Sequence, residues 1–474
     1  MNVQAFGFIV VFAGMLAIVL GDRWIISFAF SFTVFGAAAG ISLPVLGGAT
    51  ITPPHLFLAF LIFRVVQQRH GGAALLEALT LKRSGGWLVV AVAYGLIVSA
   101  LAPSLFPDIL VYAFSRGEAG VYVRLEPLNY GSSLITQGVY AIGAVLLIAA
   151  GTVLMQRPKA AEHVLRGIFY CTLLNLLFVV VDLVSYYSGS GDLLSFVRTG
   201  DYAQLYQFEG GLKRIAGSFT EPSAFAAYSC VLLGFWSSLW MQRFRSGLSG
   251  LLALATLCAL LLSTSSTAYV AVTVLLTLLA ASDMMAPLSR RQSKRFAFIV
   301  AVTPVLLFCG LLLALFNPAF VDAVAALIDE TVFNKANSGS GVERLAWSTQ
   351  AWQNFVDTYG IGIGIGGARA SGYVMVLLSN IGLVGTAAFG VFVYRTLSRA
   401  YFHPVAEDDQ AIGIACRWAF AGGLISSAIS AGVFELGALT LLTGAAAGAI
   451  GYQPADSRVG RLPLRRPHDA VAPR

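Results

Sequence analysis

A chain of 474 residues that is 57% hydrophobic and only 11% charged, with mean hydropathy +0.79, has too few polar side chains to cover a soluble globule of this size. Its net charge of +7 does not mark a nucleic-acid partner, because the basic residues are scattered over short connections and a tail instead of gathering on one face. The composition predicts an all-α, polytopic integral membrane protein whose first partner is the lipid bilayer.

In chain order, apolar runs predict helices near residues 4–20, 24–43, 53–68, 87–102, 133–155, 165–187, 219–240, 248–264, 266–282, 296–316, 370–394, 410–428 and 432–450. That is about thirteen, in a range of about 12 to 14. No alternation of strand period suggests a barrel. The first run lacks a basic segment before it and a small-residue cleavage site after it, so it reads as a helix that stays. Residues 1–452 form one transmembrane helical domain, and the arginine- and proline-rich tail at 453–474 is expected to be disordered and to touch anionic lipid.

Lys and Arg divide the connections. One alternating set carries 21 of the 30, from Arg23, Arg64 and Arg157 through Arg395 to the tail, and reads as cytoplasmic. The opposite set carries Arg116, Arg124, Arg198, Lys213, Arg214, Lys335, Arg344 and Arg369. Three connections on that outer side are long, near 103–132, 188–218 and 317–369, and ordered loops of such length usually carry function. The last predicts one helix after Asn317-Pro318 and a second near 342–358 that presents Leu345, Trp352 and Phe355 to the membrane surface or the bundle, with a flexible break at Asn337 to Gly341 between them.

The stretch Lys213 to Tyr228 is the strongest candidate for chemistry. Pro222 suits the first turn of a helix that begins near Thr220, with Ser218 and Thr220 as candidate caps. Glu221 then sits at the mouth of a membrane helix, with Arg214 a loop turn away and able to grip an anion in bidentate fashion. Acids in the first turn of any helix and basic flanks are also ordinary structural features, so the stretch reads either way. Asp182, Arg344, Arg369 and Glu435 fall at the same expected depth. Each alone reads as an interfacial anchor or half of an ion pair. Together they suggest a polar cavity, because a charge within hydrocarbon costs roughly 2.5 to 3.5 kcal/mol.

The run Tyr359 to Gly367, YGIGIGIGG, is either an anion-binding concavity or a close-packed turn that lets a re-entrant loop approach the bundle, and the second reading is preferred. His55 is the one histidine on the outer side and reads as a helix-end residue. No zinc site or serine-histidine-aspartate set can be assembled there. Five cysteines lie in apolar segments without metal-like spacing and are expected as free thiols.

Three blocks carry a resemblance. Arg214 to Phe219 with Glu221-Pro222-Ser223, the serine-rich turn Leu262 to Ala268, and Arg344 to Gly385 with its G-x-G-x-G turn together resemble the O-antigen polymerase and ligase superfamily over about residues 210–390. The resemblance implies a bacterial inner-membrane enzyme with periplasmic loops and a cytoplasmic C-terminus. Its substrate would be an undecaprenyl-diphosphate-linked glycan, with metal-independent, cofactor-free transfer for O-antigen, capsule or exopolysaccharide. It also implies partners of the chain-length regulator and flippase types. Glu221 would be the catalytic base and Arg214, Arg344 and Arg369 would bind the diphosphate; Asp182 and Glu435, outside the matched blocks, are candidates for substrate binding from their expected depth alone. The last large outer loop lacks the histidine expected of the ligases, and the arginine of their serine-rich block is replaced, which favours a polymerase over a ligase. A lipid-linked oligosaccharide flippase or transporter is the reading from another class, and it would need broken helices and polar residues at mid-membrane.

Overall fold

The computed structural model describes residues 2–43, 49–117, 120–200, 208–209, 212–284, 339–398 and 406–451. The predicted helices at 296–316 and after Asn317, Cys309 and the tail lie outside these residues.

The described helices, in chain order, are α1 (Ala5–Leu20), α2 (Asp22–Ser31), α3 (Pro53–Val66), α4 (Gly71–Ala78), α5 (Ser84–Leu105), α6 (Ser132–Met155) and α7 (Ala160–Tyr187). They continue with α8 (Pro222–Met241), α9 (Ser246–Leu262), α10 (Ser266–Met284), α11 (Gly339–Asp357), α12 (Tyr373–Leu397), α13 (Glu407–Ser430) and α14 (Ala438–Ala449). Seven of them, α5, α6, α7, α8, α10, α12 and α13, are long and apolar enough to cross a membrane, and α1, α3, α9 and α14 are shorter apolar helices. The chain is thus an all-α polytopic membrane protein, with its core between helices and apolar side chains turned outward on many of them.

Among the described residues the strands lie before the first helix or between helices: β1 (Asn2–Val3), β2 (Ile41–Leu43) and β3 (Ala49–Ile51) form one antiparallel sheet, β4 (Leu110–Gly117) and β5 (Gly120–Pro127) a hairpin, and β6 (Phe208–Glu209) and β7 (Leu212–Lys213) a short pair. The sheet and the hairpin flank helix ends, where backbone groups outside the helices must find partners of their own.

Two departures from the sequence reading are instructive. The helix predicted over 24–43 stops at Ser31, followed by a 3₁₀ turn over Phe32–Val34. Beyond it the small residues let the chain lie against its neighbours: Ala37 N–H donates to Ser218 O (2.9 Å), Ala37 O accepts from Gly200 N–H (2.9 Å), and a Cβ on Gly36 would strike the Phe219 ring. Tertiary pairing wins over an apolar run. The second is α11, which runs where a helix is expected but starts inside the expected break; Leu345 and Trp352 take the outward of their two expected orientations, with Val356 exposed beside them and Phe355 half-buried. Ala351, Asn354 and Thr358 face the bundle.

The most extensive packing joins α8 to α13, with α9 and α14 alongside them, and α5 to α12. Here α12 is broken at Gly382, whose φ of 57° and ψ of −166° interrupt the helix. Carbonyls of Ser379 and Asn380 accept there from Ile363 and Gly364 N–H (2.9 Å each), and Asn380 Oδ1 accepts from Gly366 N–H (2.8 Å). The glycine run threads this break. Gly364 has φ +94°, and a Cβ on it would lie 2.4 Å from Ser99 Cα of α5. Among the N–H groups of the run, those of residues 359–364, 366 and 367 donate to protein acceptors, which is the close-packed turn preferred above and not an anion cradle.

Apart from Arg417, which lies inside α13, the charges described below sort to the two ends of the bundle. At one end Asp22 Oδ1 receives Arg64 Nε (2.8 Å) and Arg157 Nη1 (2.6 Å), and Arg395 Nη1 donates to Leu81 O (2.6 Å) while lying over the Trp87 ring. Residues from four connections that were grouped by their Lys and Arg content therefore meet. This is the basic end. Glu221, Arg369 and Glu435 lie at the opposite end, where α8 begins and α13 finishes.

Candidate functional site

At the end opposite the basic one, a cavity of about 410 Å³ opens between the starts of α3 and α8, the end of α13 and the turn before α14. Three of the six sequence candidates line it: Glu221, Arg369 and Glu435. That volume falls within the range of small-molecule sites. Hydroxyls of Thr33, Ser223, Tyr228, Ser426 and Ser430 alternate around it with aromatic and aliphatic surface, a lining suited to sugar hydroxyls and their apolar ring faces.

Local sequence explains where each group sits. Pro222 occupies the first helical position, where its missing N–H leaves no helix bond unmade, and this makes Glu221 itself the N-cap, with extended backbone (φ −157°, ψ 161°). Of the two expected caps, Ser218 does other work: its Oγ donates to Val34 O (2.6 Å). The Glu221 carboxylate makes no cap hydrogen bond to the helix amides and accepts from Ser223 Oγ (2.6 Å). Glu221 is half-buried at the cavity wall.

Arg369 follows the glycine run. Its backbone N–H donates to Tyr112 O of the β4–β5 hairpin (2.9 Å), and its guanidinium lies 4.7 Å from the centre of the Trp347 ring on α11. Ser348 Oγ on the next position donates to Ser371 O (2.8 Å), so α11 clamps the segment that carries the arginine. Arg344 is half-buried one helical turn before Trp347 and does not line the cavity, nor does Arg214.

Glu435 lies in the turn before α14, not at the outer end of a helix beginning at 432. The turn is fixed by Gly372 N–H donating to Ala431 O (3.0 Å) and Tyr373 OH donating to Phe434 O (2.7 Å). His55 Nε2 approaches Glu435 Oε1 at 3.3 Å, while its Nδ1 pairs with Thr52 Oγ1 at 2.8 Å. His55 is indeed at a helix end, in the first turn of α3, but its contact with Glu435 is a feature the sequence reading missed. The available signal was coincidence of depth: one outer histidine and one outer acid near the ends of two apolar runs.

Asp182 has a different part. Its side chain is 1% exposed, and its Oδ1 receives Arg198 Nη2 (2.8 Å) and Lys213 Nζ. Its Oδ2 receives the N–H groups of Ala216 and Gly217, each at 3.1 Å. Four donors fill the roughly four lone-pair directions of a carboxylate. Arg198, from sequence only one of the outer bases, also donates through Nε to Gly217 O (2.8 Å) and pairs with Asp192 (2.9 Å). This cluster ties the segments near 192–198 and 213–217 to α7, and so fixes the approach of the chain to Glu221.

The serine-rich turn between α9 and α10 is buried, with Thr264 at φ +46° and Ser263 Oγ donating to Leu260 O (2.6 Å). It does not line the cavity. The described cysteines, Cys171, Cys230, Cys258 and Cys416, are free thiols.

Compared with known proteins, the chain matches no family model and no curated protein.

Proposed function

We propose that this protein is a polymerase of lipid-linked oligosaccharide repeat units, acting by metal-independent, inverting glycosyl transfer at the strand-flanked end of the bundle. The observation that carries the reading is the convergence of Glu221, Arg369 and Glu435 on one hydroxyl-rich cavity, from three stretches far apart in the sequence. In this reaction a hydroxyl oxygen of the acceptor sugar attacks the anomeric carbon of the donor, and the bond from that carbon to the diphosphate oxygen breaks. The departing diphosphate takes the electron pair. Glu221 accepts the hydroxyl proton, and Arg369 neutralises the leaving group, held in orientation by Trp347. Glu435, steadied by His55, binds glycan hydroxyls. The basic end then faces the cytoplasm and the cavity faces the opposite compartment, the periplasm of a bacterial inner membrane.

Purified protein supplied with an undecaprenyl-diphosphate repeat unit should yield elongated lipid-linked products, and Glu221→Gln should leave the repeat unit unextended while keeping its membrane abundance and melting temperature. Elongation undiminished in Glu221→Gln would remove the carboxylate from the reaction. Transfer to a lipid A core acceptor without elongation would turn the reading to the ligase. The break in α12 at Gly382 favours a transport reading in part, since broken helices line transport paths. Its freed carbonyls accept from the glycine run, however, and translocation in vesicles without product formation is the result that would restore that reading.

A further inference from the structure

A second crevice lies at the basic end, far from the cavity. It is bounded by the first turns of α7, the last turns of α8 and the α8–α9 turn, and it encloses about 300 Å³. Its floor is apolar, from Leu165, Phe169 and Trp236, and its rim carries two guanidinium groups, Arg166 and Arg245. Arg166 Nη2 donates to Glu162 Oε1 at 2.8 Å, so the rim holds two cations against one anion. Arg245 is exposed and is the residue before α9, whose first-turn amides have no acceptors within their own helix and add positive potential on the same side.

From the crevice, exposed apolar side chains run on along both helices. On α7 the exposed Leu173 and Leu177 follow Arg166 and Tyr170 at helical spacing, and on α9 the exposed Leu251 and Leu254 follow Leu248. Cations at the mouth, an aromatic and aliphatic floor, and apolar tracks leading toward the membrane centre match the parts of one ligand.

We infer that this crevice binds an anionic glycerophospholipid of the leaflet at the basic end, its phosphate between Arg166 and Arg245 and its acyl chains along α7 and α9. Basic pockets between membrane helices suit such head groups. A zwitterionic lipid carries the same tails but adds a cation of its own, which the rim repels. The site is independent of the proposed reaction at the other end.

The full chain in detergent, titrated with phosphatidylglycerol or phosphatidylcholine of equal chain length and examined by native mass spectrometry, should bind the former more tightly. Arg166→Gln combined with Arg245→Gln should weaken phosphatidylglycerol binding by about tenfold or more, in line with two cations lost near a charged head group. Leu248→Trp, which fills the mouth and keeps both charges, should weaken it as well. Arg69→Gln with Lys82→Gln, which removes two exposed cations elsewhere at the same end, should leave it unchanged. Equal affinity for the two lipids would overturn the site, as would full binding in either crevice variant or equal loss in the control pair. Displacement of the lipid by inorganic phosphate at matched concentration would overturn the lipid as occupant and leave a bare anion site.

Discussion

Asp182 and Glu221 are both carboxylates at the same end of the bundle, and their surroundings differ in kind. Asp182 is enclosed and receives donors from Arg198, Lys213 and two backbone N–H groups. Glu221 is half-buried on a cavity wall, and the one donor given to its side chain by the described residues is the Ser223 hydroxyl. A charge is retained in a membrane protein for one of two reasons: because protein donors neutralise it and it holds the chain together, or because it borders a polar space. The first kind should respond to substitution through folding, the second through activity.

The comparison is sharpest where the expected effect is largest. Asp182→Ala leaves Arg198 and Lys213 buried without their shared anion, and removal of one member of such a buried set costs about 3 to 5 kcal/mol. Membrane abundance and melting temperature should both fall steeply, and surviving activity should scale with the folded fraction. Gly364→Ala belongs with it, because the added Cβ meets backbone of α5 at a φ that L-residues rarely adopt. Replacement should destabilise by more than the roughly 1 to 2 kcal/mol of the left-handed conformation alone. Normal abundance in Asp182→Ala with no activity would erase the distinction between the two acids.

Arg369→Lys tests the other side. A lysine keeps the charge but loses the guanidinium contact over the Trp347 ring and the forked donors, so elongation should drop at least tenfold with abundance near wild type. Trp347→Leu, which keeps an apolar side chain but removes the ring, should give a smaller loss in the same assay, since a cation–π contact contributes roughly 0.5 to 2 kcal/mol. His55→Gln should be milder still, because a glutamine amide can donate to Glu435 but not in the same geometry. A loss as deep as that of Glu221→Gln would move His55 from positioning Glu435 to the chemistry itself.

How much of this was legible in the sequence depends on the range of the forces involved. Hydropathy placed the long helices within a few residues, because burial in a bilayer is a property of the segment alone. The Pro222 signal placed the start of α8 for the same local reason. The shortened α2 and the broken α12 were not legible, since each is decided by a partner elsewhere in the chain: Ser218 for Ala37, the glycine run for Ser379 and Asn380. The candidate site divided in the same way. Equal depth was readable, and it gathered Glu221, Arg369 and Glu435 correctly into one end. Azimuth around the bundle was not readable, and it is azimuth that sends Asp182 to Arg198 and leaves Arg214 and Arg344 off the cavity wall.

The basic end offers the smallest effect and the cleanest sign. Burial pushes the Asp22 carboxyl up, but hydrogen bonds and charge from Arg157 and Arg64 outweigh it and hold the group below the usual carboxylate range. A carboxyl whose folded pKa is depressed contributes stability above its unfolded value, near 4, and that contribution is lost as pH falls through the folded value. Stability from this triad should therefore be level at neutral pH and decline on acidification, whereas Arg157→Gln should flatten the decline and lower the neutral plateau by about 1 kcal/mol, a partly exposed pair being screened by solvent. Melting temperatures of the two proteins across that range would converge at the acid end. If they stayed parallel, the three connections would be joined by packing alone, and charge would have sorted to the two ends of this bundle without holding either of them together.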